Sequence, residues 1–558
     1  MPKMKWWGWG SEVSEFTDTD KPGFAPFAQR HIGLEVGRRH APPPAFDELE
    51  LPASRASEEL LDELRAVVGL NDPTALSTDP ADRLVHGRGK SIRDLIQQRR
   101  RHFPRLPDVV LRPADEQQVE QLLQIALAHD AVVIPFGGGS SISGSLEPPA
   151  TEQRTVISLD LEALNQVLEL DAQAGLARIQ AGVLGPDLEE QLQRRGFTLG
   201  HYPDSFTYSS LGGWIATRSS GMQSDGYGDI ADMTKGLRVA TPDGMLVAKA
   251  IPSMSNGPSI RELILGSEGR LGVITEATMQ VRPLPEQRLI LGYLFPGFIR
   301  GVEALREIAQ RDEIRVTLAR IADPAETRFS FAMQSQQSLP AKLQSLIFQE
   351  YLRRGRGWDR DGLCLAFIGF EGSAAEVRDQ RRLVGRIVKG QGGLCIGAGS
   401  GRIYDQKKFD TPYIRDYLLD RGAAGDVSET AVDWSRLPQL YTKTMTAAED
   451  AFRRAGVHGY VMCHLSHSYR TGACLYFTFA FSTPCAGELL ERYEIVKAAV
   501  QQAFIDNGGT LSHHHAVGTE HAPWLAADIS AAGAELLRKL FDASDPGHNL
   551  NPGKITGS

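Results

Sequence analysis

Three consecutive imidazoles, His513, His514 and His515, stand in the run Leu511-Ser512-His513-His514-His515-Ala516-Val517-Gly518. Imidazole is the side chain best suited to moving protons near neutral pH. Far upstream, Pro135-Phe136-Gly137-Gly138-Gly139-Ser140-Ser141 offers consecutive backbone N–H groups and two hydroxyls, a nest for a diphosphate. The pair points to a cofactor enzyme with clustered proton-transfer groups. Each motif alone is weak: a GGG run also makes a plain turn, and a histidine run also makes a solvated loop. A metal site is not expected, because adjacent histidines cannot all face one ion and no carboxylate sits at a ligand spacing beside them.

Two further segments strengthen the cofactor reading. Pro203-Asp204-Ser205-Phe206-Thr207-Tyr208-Ser209-Ser210-Leu211-Gly212-Gly213-Trp214-Ile215-Ala216-Thr217-Arg218-Ser219-Ser220-Gly221 gathers small and hydroxyl residues around two close-approach glycines. Gly266-Ser267-Glu268-Gly269-Arg270-Leu271-Gly272-Val273-Ile274-Thr275 is a glycine-punctuated turn running into a strand. Three such loops in order make a set of unrelated turns a poor explanation.

The elements that must position these loops are legible in outline. Val109-Val110-Leu111, Ala131 to Pro135, Thr155 to Leu159, Val167 to Leu170 and Leu176 to Gln180 read as strands; Asp115 to His129 and Gly185 to Arg195 read as helices. Ser57 caps a helix with an acidic first turn. Pro242-Asp243-Gly244 reads as a hairpin turn, and Val273 to Val281 as a strand with one solvated face. Pro283-Leu284-Pro285 marks a boundary. Beyond it lie strands at Cys364 to Phe370 and Ala473 to Ala480, and a helix from Glu488 to Asn507 stopped by Gly508-Gly509. The resulting division is 1–104, an extended and helical N-terminal region; 105–286, a cofactor domain; 287–508, an α+β cap; and 509–558, the histidine loop with a helical tail returning to the cofactor domain.

Composition bounds the partners. With 558 residues, 42% apolar and 23% charged, the chain is a soluble-type, multi-domain protein. The net charge of -9 argues against nucleic acid, and no 18-residue apolar run exists. Five cysteines without a CxxC fit a reducing compartment, and neither end carries a recognisable targeting signal, so a cytoplasmic location is expected.

The three cofactor segments, in this order, resemble the FAD-binding domain of the vanillyl-alcohol-oxidase-type (PCMH-type) flavoproteins. Within that superfamily the chain resembles the alkyldihydroxyacetonephosphate synthases (alkylglycerone-phosphate synthases). The likeness spans nearly the whole chain, through Lys5-Trp6-Trp7-Gly8-Trp9-Gly10, Tyr413-Ile414-Arg415-Asp416, Gly472-Ala473-Cys474-Leu475-Tyr476-Phe477 and Ser512-His513-His514-His515. It implies an α+β protein: a two-subdomain FAD-binding PCMH-type domain, an α+β cap and a helical N-terminal region. It also implies exchange of the acyl chain of acyl-dihydroxyacetone phosphate for a fatty alcohol, in ether-lipid synthesis, through an adduct at the flavin N5. By position, Tyr476 matches a proton donor and acceptor, His513, His514 and His515 match active-site histidines, Arg320 matches an arginine near the flavin, and Arg415 matches a substrate-binding arginine. The implied cofactor contacts are Pro135 to Ser141, Asp204 to Ser210, Ala216 to Ser219 and Glu268 to Ile274. His464 and His467 stand where the eukaryotic pattern has an arginine and a glutamine, which changes the charge beside the substrate pocket. From the residues alone, Tyr476 reads equally as a core tyrosine and Arg415 as half of a surface ion pair.

A lipid substrate raises the question of a membrane. Trp6, Trp7 and Trp9, or the segment from Leu339 to Trp358 with Leu343, Leu346, Ile347 and Tyr351 at helical spacing, could touch a bilayer surface; tryptophans packed on the body and an ordinary cap helix are the favoured reading. A homodimer stays open. The competing functions are an FAD-dependent oxidoreductase of 2-hydroxy acids or alcohols and a non-catalytic lipid-binding flavoprotein. Relatives that hold flavin covalently use a histidine at the glycine loop, where this chain has Ser140-Ser141, so the FAD is expected to be non-covalent. Acid precipitation of the yellow protein should leave the flavin in the supernatant; flavin in the pellet would contradict this.

Overall fold

The structure, a computed structural model, describes residues 4–69, 74–335, 347–483 and 485–557. Three larger β-sheets and one two-stranded pair organise it. The first has four strands, β1 (Leu76–Ser77), β2 (Val109–Leu111), β3 (Val132–Phe136) and β4 (Val156–Asp160), in the order β1-β2-β4-β3, with β2, β4 and β3 parallel. Every residue of β4 is buried, Ser158 and Asp160 included, as expected of a strand covered on both faces.

The chain continues through β5 (Val167–Asp171), β6 (Leu176–Gln180), β7 (Phe197–Thr198), β8 (Thr234–Thr241), β9 (Gly244–Ala248), β10 (Val273–Gln280) and β11 (Arg282–Pro283). Five of these make an antiparallel sheet of order β5-β6-β10-β8-β9, and β7 pairs with β11. The Pro242-Asp243-Gly244 turn joins β8 to β9, as its composition predicts. The expectation of a solvated face on β10 is corrected: seven of its eight residues are buried or half-buried. Helix Glu116–Ala128 packs on it from one side and helix Leu211–Thr217 from the other.

The third sheet has seven antiparallel strands: β12 (Gln287–Phe295), β13 (Leu318–Ala322), β14 (Cys364–Gly372), β15 (Leu394–Gly397), β16 (Ala423–Asp433), β17 (His458–Ser468) and β18 (Gly472–Ser482), in the order β15-β12-β14-β13-β17-β18-β16. One face carries Leu465, Leu475, Phe477, Phe479 and Phe481, buried with residues of the helices Leu437–Ala455 and Leu489–Asp506. At roughly 2 kcal/mol for each fully buried large apolar side chain, this face anchors the sheet and leaves its other face free to line a cavity.

The ends of the chain are tied in. The C-terminal tail runs beside β3, where Val133 N–H donates to Asn549 O (2.7 Å) and Asn551 N–H to Val133 O (3.0 Å). Near the start, Trp6 packs with Leu84, Phe103 and Leu106, and Trp9 with Met4 and Tyr208. This corrects the idea of membrane-anchoring tryptophans: Trp6 and Trp9 are 9% and 4% exposed. Part of the Leu339–Trp358 segment, including Leu343 and Leu346, lies outside the described residues. Within the remainder, Leu352 is buried against Leu294 and Leu363, while Ile347 and Tyr351 are exposed. Among the described residues no helix is long and apolar enough to cross a membrane.

The N-terminal segment is clamped by Asp416, whose carboxylate pairs with Lys5 Nζ (2.9 Å) and accepts from Trp9 N–H (2.9 Å). Lys5 is buried, so removing its partner strands a charge. Asp416→Asn should cost about 3 kcal/mol, seen as a lower Tm together with tryptic cleavage after Lys5 in the native protein; an unchanged melt with Lys5 still protected would refute the clamp.

Candidate active site

A cavity of about 1390 Å³ lies between the glycine loop, the second cofactor segment and the free face of the third sheet. The glycine loop is shaped for it. A Cβ on Gly138 would sit 1.7 Å from Tyr208 O, one on Gly137 would sit 2.1 Å from Ser210 Oγ, and Gly139 has φ +69°. Only glycines let the two segments approach so closely while keeping their N–H groups at the cavity wall.

The cavity is lined by Pro135 to Ser141, Asp204, Ser205, Ser209, Ser210, Ala216, Thr217, Ser219, Glu268, Gly269, Gly272 and Ile274. Others of the expected cofactor residues do not line it. Phe206 stacks on Phe409 and Trp214, Tyr208 packs on Trp9, and Leu271 and Val273 are buried in the core around β10. Thr207 lies in the turn between them. Arg270 donates to Leu550 O (3.2 Å) and holds the C-terminal tail. Arg218 points away, to Glu262 (3.2 Å), because its backbone takes the left-handed conformation that ends helix Leu211–Thr217.

The sheet supplies the other wall by register. His464 lies opposite Tyr476, Tyr476 opposite Glu429, and Ala322 opposite His464, so these residues share one face. Arg320, two residues before Ala322, is on that face too. A bulge between Leu465 and His467 shifts the pairing so that His467 faces Cys474, two residues from Tyr476. Without this extra residue His467 would point into the core.

The histidine loop is pinned from below by Glu429, which is fully buried. It accepts Ser512 Oγ–H (2.8 Å) and the backbone N–H groups of His513 (2.5 Å), His514 (3.1 Å) and His515 (3.0 Å). Burial opposes its ionisation, but His514, His515 and His513 and these donors hold its carboxyl well below the ordinary range. Burial drives His514 down to about 3 and His515 to about 4, the facing Glu429 only partly compensating, so both rings are neutral at pH 7. The Tyr476 phenol is pushed well up by burial and by Asp204 and Glu429. Its ring lies 6.0 Å from that of His514 and 5.5 Å from that of His515.

The two arginines differ in their neighbours. Arg320 pairs with Glu326 (2.5 Å) and contacts His464 Nδ1 (3.1 Å), which itself bonds Glu326 (2.8 Å), so its charge is largely offset. Arg415 donates to Lys90 O (2.5 Å), sits 4.0 Å from Asp426 Oδ1 and leaves its buried Nε without a partner. Arg320, Arg415, His464, His467, Tyr476, His514 and His515 line the cavity; His513 stands behind them, bonded through Nε2 to the Tyr469 hydroxyl (2.6 Å).

Sequence reasoning missed Glu429, Glu326, Asp426, Asp229 and Tyr469. No local pattern singles out Glu429, because β16 also carries Asp426, Ser428, Thr430 and Asp433. The argument from sequence that no carboxylate accompanies the histidines is also corrected, because β16 brings Glu429 to them. Ligand-capable atoms of Glu429, Cys474, His513 and His514 fall within 4.8 Å of one another.

Known proteins place these features in context. A model described as "FAD binding domain" matches residues 107–248, and one described as "FAD linked oxidases, C-terminal domain" matches 284–555. The chain is 39% identical over 483 residues to an alkyldihydroxyacetonephosphate synthase of Dictyostelium discoideum, covering 87% of this chain and 79% of the relative. It is 35% identical over 509 residues to that of Trypanosoma brucei brucei, covering 91% and 82%. A solved alkyldihydroxyacetonephosphate synthase structure superposes with a TM-score of 0.83 at 33% identity, covering 99% of this chain and 98% of that one.

Two measurements check the site. Gly138→Ala should strip the flavin, since its Cβ has no room beside Tyr208 O; the variant should purify with less than about a tenth of the parent's bound FAD, on the same clash argument. A histidine whose pKa is depressed on folding binds its proton more readily when unfolded, so it costs stability as pH falls below about 6.5, by about 1.4 kcal/mol per pH unit until its folded pKa is reached. His514→Asn should therefore lose less stability than the parent between pH 6.5 and 4 in denaturation series; parallel curves would refute the depressed pKa. The FAD-binding segments, the histidine loop and the tyrosine strand occur together with identities of 35–39% over most of the chain: it belongs to the alkyldihydroxyacetonephosphate synthase family.

Proposed function

We propose that this chain exchanges the acyl chain of an acyl-dihydroxyacetone phosphate for a fatty alcohol, giving an ether bond. The observation that carries this reading is a single cavity with three chemically distinct parts. Its glycine-rich wall fits FAD, which when bound supplies the reactive isoalloxazine. Its sheet wall offers Tyr476, His514 and His515. A third arm is apolar, lined by Phe24, Phe27, Ala28, Phe329 and Met333, and an alkyl chain buried there would gain about 0.8 kcal/mol per methylene.

The side chains divide the work. Arg415, which lines the cavity with a carboxylate no nearer than 4.0 Å, binds the phosphate. Neutral His514 and His515 accept protons, and the Tyr476 phenol, kept protonated by burial, donates one. Arg320, offset by Glu326, orients rather than attracts. The apolar arm keeps water from competing with the alcohol. Exposed Ile347 and Tyr351 beside Arg353 and Arg354 provide a peripheral contact with a bilayer that delivers the alcohol; deletion of 340–358 should abolish co-sedimentation with anionic vesicles, and undiminished sedimentation would remove that contact.

Holoenzyme mixed anaerobically with acyl-dihydroxyacetone phosphate should release fatty acid, and adding fatty alcohol should give the ether product. Stable flavin reduction by a 2-hydroxy acid, with no fatty acid released, would overturn the reading. Tyr476→Phe should lose at least about 100-fold in kcat while retaining FAD; unchanged turnover would remove the phenol from the chemistry.

A further inference from the structure

Behind the cavity wall runs a chain of hydrogen bonds, none of whose first three members lines the cavity. The Tyr469 hydroxyl lies 2.7 Å from Asp229 Oδ2 and 2.6 Å from His513 Nε2. His513 Nδ1 lies 2.9 Å from His514 Nδ1. The residues come from three distant stretches: Asp229 from the turn before β8, Tyr469 from the end of β17, and the histidines from the loop pinned by Glu429.

We propose that Asp229, Tyr469 and His513 fix the tautomer of His514, leaving its Nε2 bare as the base that faces the cavity. The assignment follows from counting protons. A carboxylate only accepts, so the single Tyr469 proton goes to Asp229. The Tyr469 oxygen then accepts, so His513 carries its proton on Nε2. With its one ring proton on Nε2, His513 presents a bare Nδ1, and the 2.9 Å contact makes His514 the donor through Nδ1–H. Glu429 Oε2, 3.7 Å from the same Nδ1, favours the same tautomer. His514 Nε2 has no protein partner among the described residues, and His514 lines the cavity.

The starting carboxylate is secure. Burial works against ionisation of Asp229, yet His467 and the hydrogen bond from the Tyr469 hydroxyl hold its carboxyl below the ordinary range. Its Oδ1 is buried without a hydrogen-bond partner. In the reaction, a proton leaving the bound substrate forms the Nε2–H bond of His514, its electron pair staying on the substrate. Nδ1–H remains in place, and the new positive charge is met by Glu429 and, through the chain, by Asp229. Asp229, Tyr469 and His513 are positioning residues, since none reaches the substrate; His513 was expected from the sequence to act directly.

This inference rests on the exchange reading only for the identity of the substrate. Histidine-labelled holoenzyme, with resonances assigned through His513→Gln and His514→Gln, should show His513 protonated at Nε2 and His514 at Nδ1 by 15N NMR. The opposite tautomer at His514 would overturn the proposal without touching the function. Tyr469→Phe, which keeps the ring, and Asp229→Asn should each retain FAD, mix the His514 tautomers and lower kcat about 10- to 100-fold with KM within about twofold. The double variant should be no slower than the slower single variant, whereas multiplied losses, or kcat within twofold of the parent in both singles, would refute a single chain. If either variant fails to fold, the other and the parent's spectrum still decide. Correct tautomers in a protein without exchange activity would sink the functional reading and leave this one standing.

Discussion

The site depends on one buried carboxylate. Glu429 sits on β16 with its side chain out of water and receives four donors from the Ser512–His515 turn. Burying a lone carboxylate costs several kcal/mol, which four charge-assisted hydrogen bonds, at about 1.5–3 kcal/mol each, more than offset. The consequence is geometric. Three adjacent histidines would otherwise scatter on a flexible loop; bonded at their backbone to one point of a rigid sheet, their rings diverge from a fixed origin. Two face the cavity and one faces backward to Tyr469.

The loop is held from the other domain as well. Glu268 accepts from Val517 N–H (2.9 Å) and Gly518 N–H (3.0 Å), and Asn551 Nδ2 donates to Glu268 O (2.7 Å). The flavin-side turn, the residues following the histidines and the C-terminal tail are thus one hydrogen-bonded unit. Glu429 and Glu268 belong to different walls, so the histidine loop is located relative to both at once. A loop fixed to only one wall would move with it and lose registration against the cofactor.

The sequence shows the flavin wall better than the sheet wall, and the reason is range. Glycine loops, the β8–β9 hairpin and the capped helices are set by residues within a few positions of one another, so their types announce them. Glu429, Asp229 and Tyr469 have roles only through partners more than forty residues away, or across a strand register that local pattern does not define. The bulge that turns His467 toward the cavity is invisible in an alternating strand. The β10 expectation failed for a related cause: its polar residues look solvated, yet Thr275 meets Glu116 (2.7 Å) and Glu276 meets Arg178 (2.9 Å) beneath a packed helix. Arg218 failed because one left-handed residue at a helix end redirects a side chain whose neighbours in sequence do face the cavity.

Charge placement across the sheet wall then follows a gradient. At the β13 side, Arg320, His464 and Glu326 form a closed group in which the guanidinium charge is met by the carboxylate. At the Arg415 end, Asp426 is shared with Lys497 Nζ (3.2 Å) and Tyr493 (2.8 Å), so it cannot fully compensate the guanidinium 4.0 Å away. Arg415 therefore keeps part of its positive potential, and the neutral imidazoles lie between it and the closed group. On the proposed reading, an anionic group entering this low-dielectric cavity would find Arg415 at one end and the neutral His514 beside Tyr476 further along the sheet wall.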